Sequence, residues 1–239
     1  GEVEAVLKAM VEAMVKTPDG KLHPHWRQAY QGAVDGYFGT APASFTYQGK
    51  TYTPQSFASS LGINPDDYIP LTSFNHHPFY QPCILEMADN WSNGAFNNLP
   101  IDELTAVALW ATDVSEKTFS AKNGLALNPY LSWEDMNDAE RDSLWKAPHP
   151  EKVVTQEERQ AGFDQLSTTD DHGMHIVGLL KDQKGTEYYA VKNTWVTSVN
   201  KDTEGYLYAS KPYFRNKTMS IMVHKNAIPR DIRTKLGIN

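Results

Sequence analysis

Apolar residues recur every three or four positions at the start of the chain: Val3, Val6, Leu7, Met10, Val11, Met14 and Val15. That spacing gathers them on one face of a helix over residues 2–16, which Thr17-Pro18-Asp19-Gly20 stops. Trp26, Ala29, Tyr30, Ala33 and Tyr37 repeat the period and predict a second helix from Pro24 to about Tyr37. The period then shortens to two. Phe45-Thr46-Tyr47-Gln48-Gly49-Lys50-Thr51-Tyr52 reads as a small hairpin, and Thr53-Pro54 opens a short helix with proline at its first position. Residues 62–82 are rich in Pro, Asn and Asp and predict an irregular connector. The boundary between a helical segment, 1–65, and a second domain, 66–239, is placed there.

The second domain begins with a short apolar run, Ala106 to Ala111, expected to be a buried strand. Ser132-Trp133-Glu134-Asp135 and Thr155-Gln156-Glu157-Glu158 have the form of capping boxes opening two helices. Beyond Gly173 the pattern becomes β, with strands expected near 173–181, 186–192, 205–210 and 217–224. Asp182-Gln183-Lys184-Gly185 supplies the first hairpin turn. Pro229 starts a terminal helical piece. No internal repeat or low-complexity segment interrupts this α+β order.

Bulk properties narrow the function classes. The 239 residues carry 22 basic and 29 acidic side chains, a formal charge of −7. Nucleic-acid binding needs a basic face to neutralise phosphates, and the Lys and Arg residues here are scattered, so no nucleic-acid partner is expected. A single cysteine, Cys83, excludes an internal disulfide and leaves the compartment open. No apolar stretch is long enough to span a membrane, and the amphipathic, acidic first residues do not resemble a signal peptide.

The candidate chemistry lies in two neighbouring strands. Asp171-His172-Gly173-Met174 leads one, and Val191-Lys192-Asn193-Thr194-Trp195 ends the next across a hairpin. A thiol must become a thiolate to attack a carbonyl, and an imidazole can take its proton and later protonate the leaving amine. An asparagine carbonyl can orient that imidazole without adding negative charge. His172 and Asn193 therefore form two thirds of a Cys-His-Asn constellation. Trp195, two residues beyond Asn193, is expected on the same strand face, covering the pair from water. A lone histidine on a strand is usually structural, and it is the ordered set that singles these residues out. His175, on the opposite strand face, is expected to be packed or hydrogen-bonded. Asp171 suits a backbone-positioning role, and Asp170 reads as a polar start to the strand.

Cys83 lies among apolar residues and reads as buried and inert. His76 and His77 suggest a metal, but adjacent histidines on an extended segment point apart, and there is no H-E-x-x-H motif. No metal or other cofactor is expected.

The same residues resemble the papain superfamily: Asp171-His172-Gly173 with Val177-Gly178, then Val191-Lys192-Asn193-Thr194-Trp195, then Gly205-Tyr206-Leu207. Asn98-Leu99-Pro100-Ile101-Asp102, Asp113-Val114-Ser115, Val223-His224-Lys225 and the ending Lys235-Leu236-Gly237 are similar to its bleomycin hydrolase-like aminopeptidase branch. The resemblance covers residues 66–239 well and the first 65 loosely. It implies a papain-like fold, an α+β architecture with a C-terminal antiparallel β domain, and thiol-dependent hydrolysis of a peptide substrate. His172 would be the acid–base group, Asn193 its orienting partner and Trp195 its shield. It further implies that the terminal carboxylate, here Asn239, returns to the cleft to meet the substrate's free amino group, and that the complete protein is a homo-oligomer, a hexamer in this family, cytoplasmic unless exported to a periplasm.

Two departures stand out. The family's glutamine and Cys-Trp segment has no counterpart, so the nucleophile is expected on an N-terminal segment outside this chain, and the chain alone is expected to be inactive. The stretch between Asp102 and Trp110 is also shorter than the family pattern. A protein keeping this β domain without a nucleophile would instead be a non-catalytic, peptide-binding pseudoenzyme.

Overall fold

The structure is a computed structural model that describes residues 1–104, 109–195 and 203–238. The chain divides into two compact units, Gly1–Asn64 and Pro65–Asn239.

The first unit holds α1 (Glu2–Val15), α2 (Trp26–Phe38), the hairpin strands β1 (Phe45–Tyr47) and β2 (Lys50–Tyr52), and α3 (Pro54–Ser60). The hairpin turns at Gln48 and Gly49, both at positive φ, 49° and 77°, which is the geometry a two-residue hairpin loop requires. Thr53 caps α3 by accepting from the Ser56 amide, with Pro54 at the first helical position. Phe57 of α3 meets Phe45, Tyr47 and Tyr52 edge-on, each at 5.3 Å, a small aromatic cluster joining hairpin and helix.

The second unit is built on one sheet. Its elements are β3 (Tyr68–Thr72), β4 (Pro82–Ile84), β5 (Ala95–Asn98), β6 (Leu109–Thr112), β7 (Phe119–Ser120), β8 (Leu125–Ala126), α4 (Asp138–Ser143), α5 (Gln156–Asp164), β9 (His172–Lys181), β10 (Glu187–Lys192), β11 (Tyr206–Ser210), α6 (Lys211–Lys217), β12 (Thr218–His224) and α7 (Arg230–Leu236). Among the described residues the strand order is β4-β5-β3-β12-β6-β9-β10-β11-β8-β7. The central run β3-β12-β6-β9-β10-β11 is antiparallel throughout. Alternation along the strands chooses the buried face. Met174 and Ile176 of β9, Tyr189 and Val191 of β10, and Leu207 and Ala209 of β11 enter one core with Trp110, Tyr213 and Phe214. The Trp110 indole donates to Thr218 Oγ1 at 2.8 Å, so the large core ring keeps its polar atom satisfied. Removing such a ring would cost about 3–5 kcal/mol.

Two expectations are corrected here. Residues 62–82 are not merely a connector, because they contain β3, with Leu71 and Thr72 fully inside the sheet. Pro70 disguises it. Pairing with β5 begins only at Leu71, so the proline sits where β3 has a partner on one side only. Residues 132–135 form a turn in which Ser132 Oγ donates to Asp135, and the helix starts later, capped by Asn137. The expected strand from Ala106 falls partly outside the described residues, and its described part is β6. The helix capped by Thr155 does form.

Candidate active site

The row of inward positions on β9 ends at His172, half-buried where Met174 and Ile176 are fully buried. The inward row of β10, Tyr189 and Val191, continues to Asn193 just beyond the strand's end at Lys192. The two rows therefore converge, and His172 Nε2 lies 2.9 Å from Asn193 Oδ1. That oxygen also accepts from the backbone amides of Thr194 at 2.7 Å and Trp195 at 3.3 Å. These amides fix which way the asparagine amide points. An amide oxygen only accepts, so Nε2 must carry the proton. The other ring nitrogen, Nδ1, keeps its lone pair and has no hydrogen-bond partner among the described residues.

Trp195 is not on the strand, as alternation along the sequence suggests, but in the turn after it. From there its indole stacks on the His172 ring, centroids 4.8 Å apart at 27°, and Phe119 packs edge-on against it at 5.9 Å. The indole covers one face of the imidazole while remaining partly exposed itself.

Asp171 is pinned to a neighbouring loop. Its Oδ2 accepts from the amides of Val114 and Ser115 at 3.2 and 3.1 Å, and its Oδ1 accepts from Thr169 Oγ1 at 2.8 Å. Partial burial pushes its carboxyl up, but these hydrogen bonds outweigh it and hold Asp171 below the usual carboxylate range. Asp170 behaves oppositely. Burial first, then the charges of Asp89 and Asp171, push it up to about 6. The sequence contains no signal separating these adjacent aspartates, because the difference comes from burial and Asp89 at Asp170 and from the bonds of Thr169 and the loop at 114–115 to Asp171.

Cys83 lies on β4, the edge strand, and is buried. Five strand spacings separate β4 from β9, roughly 24 Å, so Cys83 cannot reach His172. Desolvation and then the nearby Glu86 charge raise its thiol pKa, the reverse of nucleophile activation. His175 is exposed on the opposite face of β9 rather than packed as expected. Asn239 lies outside the described residues. Leu236 and Ile238 before it pack against the main core, and Lys235 bonds Glu103 Oε1 at 2.7 Å.

The histidine pair is a further correction. Residues 75–77 form a turn, not an extended segment, so His76 and His77 converge. Their Nε2 atoms lie 3.2 and 3.4 Å from Glu86 Oε2, and the three side chains offer ligand atoms within 4.8 Å of one another. The donor set resembles a two-histidine, one-carboxylate site. The second hydrogen-bond layer opposes it. Gln160 Oε1 accepts from the Asn75 amide at 2.8 Å, which turns its Nε2 to donate to His76 Nδ1 at 2.9 Å and Asp164 at 2.7 Å. His76 then holds its proton on Nε2, the atom a metal would need free.

The fold and the His–Asn–Trp arrangement define a papain-like α+β domain. The model of the Peptidase C1-like family matches residues 44–238, and the chain belongs to that family. Among solved structures it is similar to the crystal structure of PepW from Lactobacillus rhamnosis HN001 (DR20), determined as the selenomethionine derivative. The match has a TM-score of 0.60 at 18% identity and covers 99% of this chain and 55% of PepW. The chain thus spans about half the length of that relative. No curated protein sequence matches it. No described helix is long and apolar enough to cross a membrane.

Proposed function

We propose that this chain supplies the acid–base half of a thiol-dependent peptidase. The observation that carries the reading is the His172 ring, with Nε2–H committed to Asn193 and Nδ1 left with its lone pair. In the reaction, Nδ1 takes the proton of a cysteine thiol, and the thiolate adds to the scissile carbonyl. The resulting imidazolium, its charge unopposed by the neutral Asn193, then gives the proton to the leaving amine as the C–N bond breaks. Water attacks the thioester with His172 again as base. Trp195 keeps competing water from the Nε2–H···O bond. The distance and burial of Cys83 argue against it as the nucleophile and favour a thiol and oxyanion donors supplied by a segment outside this chain.

The test is to supply a nucleophile-bearing segment, joined covalently or as a second chain, and assay an aminoacyl reporter. Thiol-sensitive turnover is expected to appear only then. Robust turnover by the chain alone would overturn the reading.

The resemblance to bleomycin hydrolase-like enzymes favours trimming of N-terminal residues, with the Asn239 carboxylate pairing with the substrate's α-ammonium. Deleting residues 236–239 from the complete enzyme should then raise kcat/KM for blocked relative to free substrates. An unchanged ratio would argue against the aminopeptidase reading.

A further inference from the structure

The start of β9 is held by more than its ladder. Asp113 follows β6, the strand paired with β9, and is 1% exposed. Its Oδ1 accepts from the Ser115 amide at 2.9 Å and from Ser115 Oγ at 2.8 Å, and its Oδ2 accepts from the Thr169 amide at 3.0 Å. Asp171 answers in the other direction, from the β9 side to the amides of Val114 and Ser115. Each carboxyl thus bonds the backbone of the other's segment, and both take the Ser115 amide. The connection is covalently short to the site at both ends. Asp171 immediately precedes His172, and the segment after Ser115 reaches Phe119, which packs on Trp195. Tyr213 anchors the clamp from α6 by donating to the Asp113 carbonyl at 2.8 Å, and Lys217 pairs with Glu116 beside it.

We propose that Asp113 is a positioning residue for His172, acting with Asp171 as a crossed clamp that sets the ring's bond to Asn193 and the seating of Trp195 over it. Two carboxyls this close cannot both ionise freely. Desolvation pushes Asp113 up, while its hydrogen bond helps hold Asp171 down, so Asp113 is the member that keeps a proton longer. The proposal rests on the reading of His172 as the acid–base group, but its consequence can be read without turnover.

The experiment is NMR of the His172 ring in the chain itself. Wild type is expected to show a dominant Nε2–H form of the neutral ring, with ring protons shifted upfield by the Trp195 indole. Asp113→Ala should leave the sheet's amide spectrum native, while the Nε2–H form falls to a mixture of tautomers and most of the upfield shift is lost. Asp113→Asn, a neutral isostere that still accepts one amide and donates to Asp171, should retain both signatures. If Asp113→Ala does not fold, Asp113→Ser takes its place, since its short side chain cannot span Ser115 and Thr169. A folded Ala or Ser variant with wild-type tautomer and ring shift would overturn the clamp, because a merely structural role would lower stability only. Asn193→Ala separates the two readings. If removing Asn193 leaves the tautomer unchanged, the His172–Asn193 assignment fails, whatever Asp113 does.

Discussion

Two of the amide–imidazole pairs among the described residues, both in the second unit, are wired in opposite senses. At one, the Asn193 oxygen accepts from His172 Nε2. At the other, the Gln160 nitrogen donates to His76 Nδ1. The orientation is set in each case by backbone: the Thr194 and Trp195 amides hold the asparagine oxygen, and the Asn75 amide holds the glutamine oxygen. The first arrangement leaves an imidazole nitrogen with a free lone pair. The second consumes the lone pair of His76, whose Nε2 then donates to Glu86. His76 also stacks on Phe163 at 5.1 Å and 11°, while the residue itself stays exposed. A histidine beside an amide is thus a base or a strut according to which end of the amide faces it. Residue type alone does not say which.

This contrast can be broken by experiment. The largest effect should come from exchanging the histidines. In the enzyme completed with its nucleophile segment, His172→Ala should lower kcat roughly 10³-fold, whereas His76→Ala should leave it nearly unchanged. Comparable losses at both positions would erase the distinction.

Next in size is Gln160→Ala. It strands the Asn75 amide in a partly buried site and should cost about 2 kcal/mol in denaturant unfolding, with activity retained. Asn193→Ala should do the reverse, lowering kcat about tenfold, the worth of one orienting hydrogen bond, with little change in unfolding midpoint because its backbone partners reach solvent. A stability loss at Asn193 larger than that at Gln160 would invert the roles assigned to the two amides.

The smallest effect sharpens the electrostatics beside His172. Because the fold raises the Asp170 pKa to about 6, by burial and then by Asp89 and Asp171, the folded state holds a proton that the unfolded state releases. The resulting penalty is absent below the ordinary pKa of 3.8, grows as pH rises through the interval and is complete above about 6. Asp170→Asn should therefore stabilise by about 1 kcal/mol near pH 8, less than the full shift implies because the group is half exposed, and by almost nothing near pH 3.5. A pH-independent gain would show that the carboxylate's charge is not the cause.

The site and its surround are not equally legible in the sequence. His172, Asn193 and the hairpin between them can be read directly, since strand alternation and a two-strand turn are local properties that survive any packing. Trp195 can be identified, but its position cannot. The strand stops at Lys192, and the turn beyond it brings the indole over the ring rather than beside it. Local signals also announce the first two helices and the Phe45–Tyr52 hairpin, and the capping threonines Thr53 and Thr155 mark the starts of α3 and α5.

Other features are decided only by the tertiary structure. β3 hides behind Pro70 because burial within the sheet outweighs the proline's poor strand propensity at a one-sided position. The convergence of His76 and His77 depends on a turn that the Asn98 side chain helps hold by donating to the carbonyls of Phe74 and His77, contacts between segments distant in the chain. The opposite pKa shifts of Asp170 and Asp171 and the burial of Asp113 beside them likewise arise from neighbours that the sheet assembles. Sequence determined which residues could do chemistry, since donors, acceptors and strand faces are properties of residue type and spacing. Tertiary structure decided which of them are placed for it, since a lone pair, a proton and a desolvated carboxyl depend on what packs against them.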